Sequence, residues 1–147
     1  MGEKVVVKLK LLDPTLEVPR FAYPGDVAVD LRSRVDATLA PSTIQGVPTG
    51  VAIQLPVGYE AQIRPRSGLA LKHGISLVNS PGTVDTSYRG EIVCIMVNLG
   101  SEPFVIQKGD RICQMAVRKV PPVEIELVDE LDETTRGAAG FGSSGTT

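Results

Sequence analysis

Hydrophobic and polar residues alternate along several short segments of the chain. In residues 4–11, four apolar side chains fall on one face and three lysines on the other, which is the two-residue period of a strand with one buried face. Residues 59–64 and 124–127 alternate in the same way. Residues 91–98 are almost continuously apolar and rich in β-branched side chains, as expected of a strand covered on both faces. These patterns predict a chain built mainly from short strands.

Prolines and glycines separate the predicted strands. Turn signals fall at residues 24–25, 56–58, 81–82 and 108–110, where proline fixes φ or glycine accepts a positive φ. One short helix is predicted over residues 67–72, because Ser67 is an N-cap type residue and good helix formers follow it. Short strands, frequent turns and a single helix indicate an all-β sandwich, jelly roll or barrel.

The composition changes once along the chain, near residue 129. The 147 residues are 42% hydrophobic and 22% charged, which is enough for one hydrophobic core, and we expect residues 1–128 to form that single domain. Residues 129–135 are mainly acidic, and residues 136–147 are rich in Gly and Ser. Because such a segment buries too little apolar surface to fold alone, residues 129–147 are predicted to form a flexible C-terminal arm.

Charge and apolar runs exclude several classes of partner. The net charge of −2 provides no basic surface of the kind that binds duplex DNA, so no direct nucleic-acid partner is expected. No apolar run is long enough for a signal peptide or a membrane span. Cys94 and Cys113 lack CxxC spacing and are expected to be buried thiols rather than a disulfide. We therefore expect a cytoplasmic or other reducing intracellular location and no membrane partner.

Three segments carry chemistry suited to a nucleotide. Residues 64–69 place two arginines, a hydroxyl and a glycine at the start of the predicted helix, where backbone N–H and guanidinium groups attract an anion. Residues 79–90 have turn residues at both ends and are predicted to form a hairpin that reads the edge of a planar base, while Asp85 deprotonates a water molecule. In the arm, the only arginine, Arg136, and the only aromatic residue, Phe141, could pair with phosphate and stack on a base as a lid.

Each of these segments also has an ordinary structural interpretation. The first could be a capped helix with surface arginines, the second a plain turn and the third a disordered terminus. Other site chemistries find little support: His73 is the only histidine, so a multi-histidine metal site or a Ser-His-Asp triad is not expected. The P-loop and GxGxxG patterns do not occur.

Taken together, the segments resemble the five sequence motifs of the trimeric deoxyuridine triphosphate nucleotidohydrolases (dUTPases), in the same order. The matching segments are residues 28–33, 66–70, 79–90, 109–114 and 136–145. The resemblance implies a jelly-roll subunit in a homotrimer, with motif three of one subunit, motifs one, two and four of a second and motif five of the third meeting at each active site. It also implies Mg²⁺-dependent hydrolysis of dUTP to dUMP and pyrophosphate, which limits uracil incorporation into DNA and supplies dUMP for thymidylate synthesis.

The resemblance further implies a role for each matching residue. Asp85 would be the general base that activates water against the α-phosphorus. Tyr88 would be the platform beneath the deoxyribose that leaves no room for a 2′-hydroxyl, and Asp30 would hold a water molecule of the phosphate-bound Mg²⁺. The other substrate-binding candidates are Asn79, Gly82 and the main chain near Val84 at the uracil; Arg66, Ser67, Gly68 and Gln114 at the phosphates; and Arg136, Phe141, Gly142, Ser143 and Ser144 in the arm.

Two positions depart from the family pattern. Ala28 stands where glycine is usual, and its methyl group is expected to be tolerated only if φ is negative. Ser87 stands where an acidic residue is common, immediately before the tyrosine, and could alter the local hydrogen bonding. Neither departure is expected to abolish the fold.

Two other functions stay open at this point. A dCTP deaminase of the same fold, which can also release dUMP, would need a glutamate placed to deaminate the base, and Glu60 and Glu91 have no assigned role. A catalytically silent nucleotide-binding or partner-binding module would tolerate the loss of Asp85, Tyr88 or the arm. All three are present, which favours a retained hydrolase activity.

Overall fold

The computed structural model describes residues 2–147, which form eleven strands and one helix. The helix, α1, spans Ser67–His73. The strands are β1 (Lys8–Leu11), β2 (Ala28–Arg32), β3 (Ala37–Leu39), β4 (Ile44–Pro48), β5 (Val51–Gln54), β6 (Tyr59–Arg64), β7 (Ile75–Leu77), β8 (Gly82–Val84), β9 (Val93–Asn98), β10 (Phe104–Ile106) and β11 (Arg111–Lys119).

The strands form four antiparallel sheets. The largest has the order β2-β11-β6-β8, and the second has the order β4-β9-β7. The other two sheets are the pairs β1-β5 and β3-β10. Most paired strands are distant in the chain, as the crossing connections of a jelly roll require. The predicted all-β, jelly-roll-like fold with one short helix is confirmed.

Apolar side chains from the facing sheets fill one hydrophobic core. Leu31 of β2, Met96 of β9 and Ile112 of β11 are almost completely buried within it. Cys94 and Cys113 are buried there as free thiols, as predicted. A hydrogen bond with Cys94, together with burial, raises the pKa of the Cys113 thiol. The two cysteines therefore act as small apolar groups of the core.

Two of the predicted strands are shorter or absent. Of residues 4–11, only Lys8–Leu11 are paired, as β1, whereas residues 59–64 form β6 as predicted. Residues 124–127 form no strand, and Ile125 and Leu127 are 93% and 97% exposed. An alternating pattern forms a strand only where another strand can accept its hydrogen bonds, and no described strand pairs with this segment.

The long apolar segment over residues 91–98 is covered on one face only. Its paired part, β9, begins at Val93 and lies between β4 and β7. Cys94 and Met96 point into the core, while Val93 and Ile95 on the opposite face are partly exposed. The prediction of a strand buried on both faces is therefore wrong for the single chain.

The helix α1 begins one residue earlier than its predicted cap implies. Its N-cap is Arg66, which makes no side-chain capping hydrogen bond, so Ser67 is the first helical residue rather than the cap. Gly74 ends the helix with a φ of 67°, and its N–H donates to the Ala70 carbonyl. A Cβ atom at Gly74 would lie 2.7 Å from the backbone nitrogen of Gly100, so both conformation and space require glycine there.

Residues 79–90 do not form a two-stranded hairpin. Their strand, β8, pairs with β6, with Gly82 opposite Ile63. A turn follows in which the Tyr88 N–H donates to the Asp85 carbonyl at 3.1 Å. The prediction of a hairpin is wrong because the sheet edge of β6 is available to β8, and the chain after the turn joins the other sheet.

The end of the chain carries no helix or strand within the described residues. The last strand, β11, ends at Lys119, and residues 121–147 are almost all exposed. The predicted boundary at residue 129 stays a prediction. In the described part of the chain, no helix has the length and apolar character needed to cross a bilayer.

Candidate functional site

A cavity of about 210 Å³ lies beside β8 and the turn that follows it. We call it the β8 cavity. It collects all the candidates that the sequence places in residues 79–90, although they span a strand, a turn and the loop before them. These lining residues are Asn79, Gly82, Val84, Asp85 and Tyr88.

The close approach of the chain at Gly82 shapes the wall of the β8 cavity. A Cβ atom there would lie 3.2 Å from Nδ2 of Asn79 and 3.4 Å from Cβ of Ile63. Gly82 and Val84 are buried, while Thr83 between them is exposed. The backbone of β8 and the Asn79 amide therefore lie close together.

The hydroxyl group of Tyr88 fixes the position of its ring beside the turn. Its hydroxyl donates a hydrogen bond to the Glu91 carbonyl at 2.7 Å. The ring lies against Gly90, where an added Cβ would be 2.5 Å from the hydroxyl oxygen. A side chain at position 90 would therefore displace the Tyr88 ring, which is 45% exposed and offers one side to solvent.

Asp85 is an exposed carboxylate at the edge of the same cavity. Within residues 2–147 its side chain takes part in no hydrogen bond or ion pair, whereas its backbone carbonyl accepts the Tyr88 N–H. An unpaired, hydrated carboxylate can accept a proton from a bound water molecule. The β8 cavity is thus lined by both a carboxylate that is unpaired among the described residues and an aromatic ring.

A second cavity, of about 340 Å³, has polar walls. We call it the polar cavity. The strand register creates it: Gln114 at the centre of β11 lies opposite Asp30 of β2 on one side and opposite Arg64 of β6 on the other. Residues opposite each other in an antiparallel pair point to the same face. Residues from motif-like segments one, two and four therefore meet here, namely Asp30, Arg66, Ser67 and Gln114.

Ion pairs organise the polar cavity. Nε of Arg66 lies 3.2 Å from Oδ1 of Asp30, and Nη1 of Arg111 lies 3.6 Å from Oδ2 of the same carboxylate. Arg66 also donates a hydrogen bond to the Arg111 carbonyl at 3.2 Å. The Arg66 guanidinium is thereby oriented by two oxygen acceptors, the Asp30 carboxylate and the Arg111 carbonyl.

The start of α1 contributes to the same wall. Ser67 lines the polar cavity, and its hydroxyl is not used as a helix cap. A Cβ atom at Gly68 would meet no atom within 4 Å, so its backbone is open to solvent although Gly68 is not among the lining residues. The first backbone N–H groups of a helix have no intrahelical acceptor and can donate to an anion.

The arm residues stay apart from both cavities. From Pro121 onward, the hydrogen bonds found among described residues join arm residues to each other, such as Nε of Arg136 to the Ala139 carbonyl at 2.8 Å. Arg136, Gly142, Ser143 and Ser144 line a shallow cavity made only of arm residues, and Phe141 is fully exposed. One chain alone therefore does not bring the arm to either cavity.

Several residues enter the cavities that sequence reasoning did not assign. Arg20 and Asp26, from the loop before β2, line the polar cavity, and no sequence signal marks them. Glu91 lines the β8 cavity. The one sequence feature that pointed to this location was its position directly after Gly90. Glu60, the other glutamate that had no assigned role, lies on β6 opposite Arg118.

The chain matches known proteins over nearly its whole length. A family model described as dUTPase matches residues 15–145. A deoxyuridine 5′-triphosphate nucleotidohydrolase of Maricaulis maris is 51% identical over 97% of this chain and 97% of that protein. One of Corynebacterium glutamicum is 47% identical over 100% of this chain and 99% of that protein.

Solved structures have the same fold. The dUTPase of Staphylococcus bacteriophage 80alpha with dUpNHpp superposes with a TM-score of 0.87 at 24% identity, over 96% of this chain and 99% of that chain. A variant dUTPase of phage phi11 of S. aureus, described with a structural Mg(II) ion, has a TM-score of 0.78 at 20% identity, over 85% and 97% of the two chains. At these identities the likeness supports the fold alone.

Proposed function

The chain belongs to the dUTPase family, and from this premise we propose how its two cavities bind and hydrolyse dUTP. The protein is a dUTP diphosphatase that converts dUTP to dUMP and pyrophosphate by attack of water on the α-phosphorus. This reaction limits uracil incorporation into DNA and supplies dUMP for thymidylate synthesis. The residue roles and the assembly below are our proposal.

The single observation that carries the proposed assembly is that the two cavities lie on opposite faces of one strand. Ile63 lines the β8 cavity and Arg64, the next residue of β6, lines the polar cavity. Consecutive side chains of a strand point to opposite faces of the sheet. Because Ile63 and Arg64 point to different faces of the sheet, we propose a homotrimer in which the β8 cavity of one subunit meets the polar cavity of its neighbour.

The β8 cavity is proposed to bind the nucleoside. Uracil would lie against the β8 backbone and Asn79, and this wall would exclude the 5-methyl group of thymine. Tyr88 would lie beneath the deoxyribose, with its hydroxyl already bound to the Glu91 carbonyl. Main-chain groups near Val84 would supply hydrogen bonds to the pyrimidine edge. A 2′-hydroxyl would collide with the ring.

The polar cavity of the neighbouring subunit is proposed to bind the triphosphate. Arg66, oriented by Asp30, would pair with phosphate oxygens. The Ser67 hydroxyl and the Gly68 N–H at the start of α1, with the Gln114 amide on β11, would complete the contacts. These groups neutralise negative charge that grows on the phosphate oxygens during phosphoryl transfer.

Asp85 is proposed as the general base. Its carboxylate would accept a proton from water as the water oxygen forms a bond to the α-phosphorus and the bond from that phosphorus to the bridging oxygen breaks. The electron pair of that bond leaves with pyrophosphate, and the new P–O bond stays in dUMP. The exposure of Asp85 and its lack of partners in residues 2–147 support this role.

Mg²⁺ fits this arrangement as a substrate-bound ion. No group of three His, Cys, Asp or Glu side chains in residues 2–147 is suited to hold a metal, so the triphosphate would supply the oxygen ligands. Asp30 lies on the wall of the polar cavity beside Arg66 and would accept a hydrogen bond from a metal-bound water. When bound, the ion neutralises phosphate charge and favours departure of pyrophosphate.

The arm is proposed to close the site of another subunit. Phe141 would cover the uracil, and Arg136, Gly142, Ser143 and Ser144 would contact phosphate oxygens. The exposure of these residues and the local hydrogen bonding of the arm support a segment that orders when substrate is bound. Residues 1–128 would remain the folded domain. The burial of Cys94 and Cys113 as free thiols supports a reducing intracellular location.

The deaminase alternative is not favoured. Glu91 is a carboxylate beside the proposed base position, but its oxygens accept hydrogen bonds from Arg34 and from the Gly50 N–H. Its carboxylate is therefore engaged by Arg34 and Gly50. Glu60 is on β6 opposite Arg118. The silent-module alternative is likewise not favoured for a member of this hydrolase family.

The activity is tested by measuring Mg²⁺-dependent pyrophosphate release from dUTP, dCTP, dTTP and UTP in parallel, with chromatography of the nucleotide products. We expect dUTP alone to be converted, to dUMP. Consumption of dCTP would reveal a deaminase activity, and no turnover of any nucleotide would contradict the hydrolase assignment.

The shared site is tested by mixing two inactive variants. Asp85→Asn lacks the base in the β8 cavity, and Arg66→Ala lacks a phosphate contact in the polar cavity. Co-refolding equal amounts should restore about a quarter of the parent activity, because random trimers place an intact Asp85 beside an intact Arg66 at that fraction of interfaces. Absence of any recovery, or a monomeric mass in solution, would contradict the shared site.

A further inference from the structure

We propose that Arg34 and Glu91 are positioning residues that hold Tyr88 at a fixed place in the β8 cavity and so determine discrimination between deoxyribose and ribose. The inference rests on the proposed function, in which Tyr88 lies beneath the sugar. Arg34 and Glu91 each lie one residue outside the segments that resemble the family motifs. Their role therefore comes from the tertiary contacts alone.

Glu91 accepts hydrogen bonds through both its side-chain carboxylate and its backbone carbonyl. Oε2 accepts hydrogen bonds from Nη1 of Arg34 at 3.2 Å and from the Gly50 N–H at 2.9 Å. The backbone carbonyl of the same residue accepts the Tyr88 hydroxyl at 2.7 Å. The position of the carboxylate thus controls the position of the acceptor that holds the Tyr88 ring.

Gly50, which donates its N–H to the Glu91 carboxylate, lies in a conformationally restricted turn between β4 and β5. Gly50 has a φ of 72°, and a Cβ atom there would lie 2.8 Å from Cδ1 of Leu16. The next residue, Ile92, donates its N–H to the Val51 carbonyl at 2.9 Å. The chain after the Tyr88 turn is therefore tied to the turn between β4 and β5, and the Glu91 carboxylate completes that attachment.

The guanidinium group of Arg34 also contacts acceptors other than Glu91. Nη2 donates to the Leu12 carbonyl at 3.2 Å, and Nε lies 3.9 Å from Oδ2 of Asp13. Asp13 in turn pairs with Nζ of Lys108 at 2.8 Å. A guanidinium held by several acceptors restricts the Glu91 carboxylate in direction as well as in distance.

Tyr88 depends on this attachment because packing holds it only partly. The ring is 45% exposed, and within the part of the chain that the structure describes its hydroxyl makes one hydrogen bond, to the Glu91 carbonyl. When Arg34 is lost, the Glu91 carboxylate keeps one N–H donor and the segment gains freedom. The ring then shifts, and a ribose hydroxyl meets a weaker steric barrier.

The test compares binding of dUpNHpp and UpNHpp by calorimetry in the parent and in Arg34→Met and Glu91→Gln variants. We expect the preference for the deoxy compound to fall about tenfold in each variant, the order of effect of one charge-assisted hydrogen bond. Arg34→Lys should recover part of the preference. In a Tyr88→Phe background, Arg34→Met should cause no further loss, because the hydroxyl that transmits the effect is already absent.

A matched control is Arg118→Met on the exposed face of β11, which should leave the preference unchanged. Thermal unfolding of every variant identifies loss of fold, which lowers affinity for both compounds and leaves their ratio unaltered. An unchanged ratio in Arg34→Met and Glu91→Gln, in a parent that turns over dUTP and prefers the deoxy compound, overturns the inference alone. A parent without turnover or preference overturns the proposed function and this inference together.

Discussion

Ile63 and Arg64 are consecutive residues of β6 that line different cavities. Ile63 lies opposite Gly82 of β8, and Arg64 lies opposite Gln114 of β11. The same strand therefore lines the cavity proposed to bind the nucleoside and the cavity proposed to bind the triphosphate. This relationship is why we propose that the two cavities combine into one site between neighbouring copies of the chain.

Replacing the proposed base should remove turnover and leave binding. Asp85→Asn keeps the size of the side chain but accepts a proton far less readily, so we expect kcat to fall by about 10²–10⁴-fold. The affinity for dUpNHpp should change little. Pyrophosphate release and calorimetry measure the two quantities, with Asp129→Asn in the exposed arm as the control. A rate within about fivefold of the parent would rule out Asp85 as the base.

Deleting the end of the arm should reduce turnover of dUTP without reducing the stability of the fold. Residues 136–147 make no hydrogen bonds outside the arm among the described residues, so a chain ending at residue 135 should keep its thermal stability and its oligomeric mass. Its kcat/KM for dUTP should fall by about 10²-fold, because the proposed lid no longer excludes water and orients the phosphates. Deletion of residues 146–147 alone is the control, since these follow the motif-like segment. Full activity without residues 136–147 would contradict the lid.

The end of α1 should not tolerate a side chain. Gly74→Ala introduces a residue at φ 67° and a Cβ 2.7 Å from the Gly100 backbone, so we expect the free energy of unfolding to fall by about 2 kcal/mol or more. Gly58→Ala is the matched control: its φ is 89°, and no atom lies within 4 Å of the added Cβ. It should cost about 1 kcal/mol from backbone strain alone. Urea unfolding measures both, and equal losses would contradict the close-approach explanation.

Acidification should lower the free energy of unfolding, in part through protonation of Asp13. Hydrogen bonds from Lys108 and Thr15 lower the pKa of the Asp13 carboxyl well below 3.8. A carboxyl whose pKa is lower in the folded state contributes stability above pH 3.8, and this contribution is lost as the pH falls below 3.8 toward the folded pKa. Asp13→Asn should therefore lose less stability than the parent on acidification below this pH. Denaturant unfolding at a series of acidic pH values measures the difference, and parallel curves would show that Asp13 contributes nothing.

Local patterns predicted individual elements but not their partners. The alternation in residues 59–64 indicated β6, and the helix formers after Ser67 indicated α1. The same alternation in residues 124–127 produced no strand, because pairing depends on a neighbour that the pattern does not specify. Residues 91–98 likewise carried no information on which face would be covered.

The sequence by itself determined the family, the all-β class and the candidate residues, because ordered motifs and hydrophobic periods are written locally in the chain. Only the tertiary structure decided which candidates meet. The register of β11 brings Asp30, Gln114 and Arg64 to one face, and the ion pair of Arg34 with Glu91 joins segments 57 residues apart. Such contacts follow from strand pairing and turn geometry across the whole fold, which no local pattern specifies.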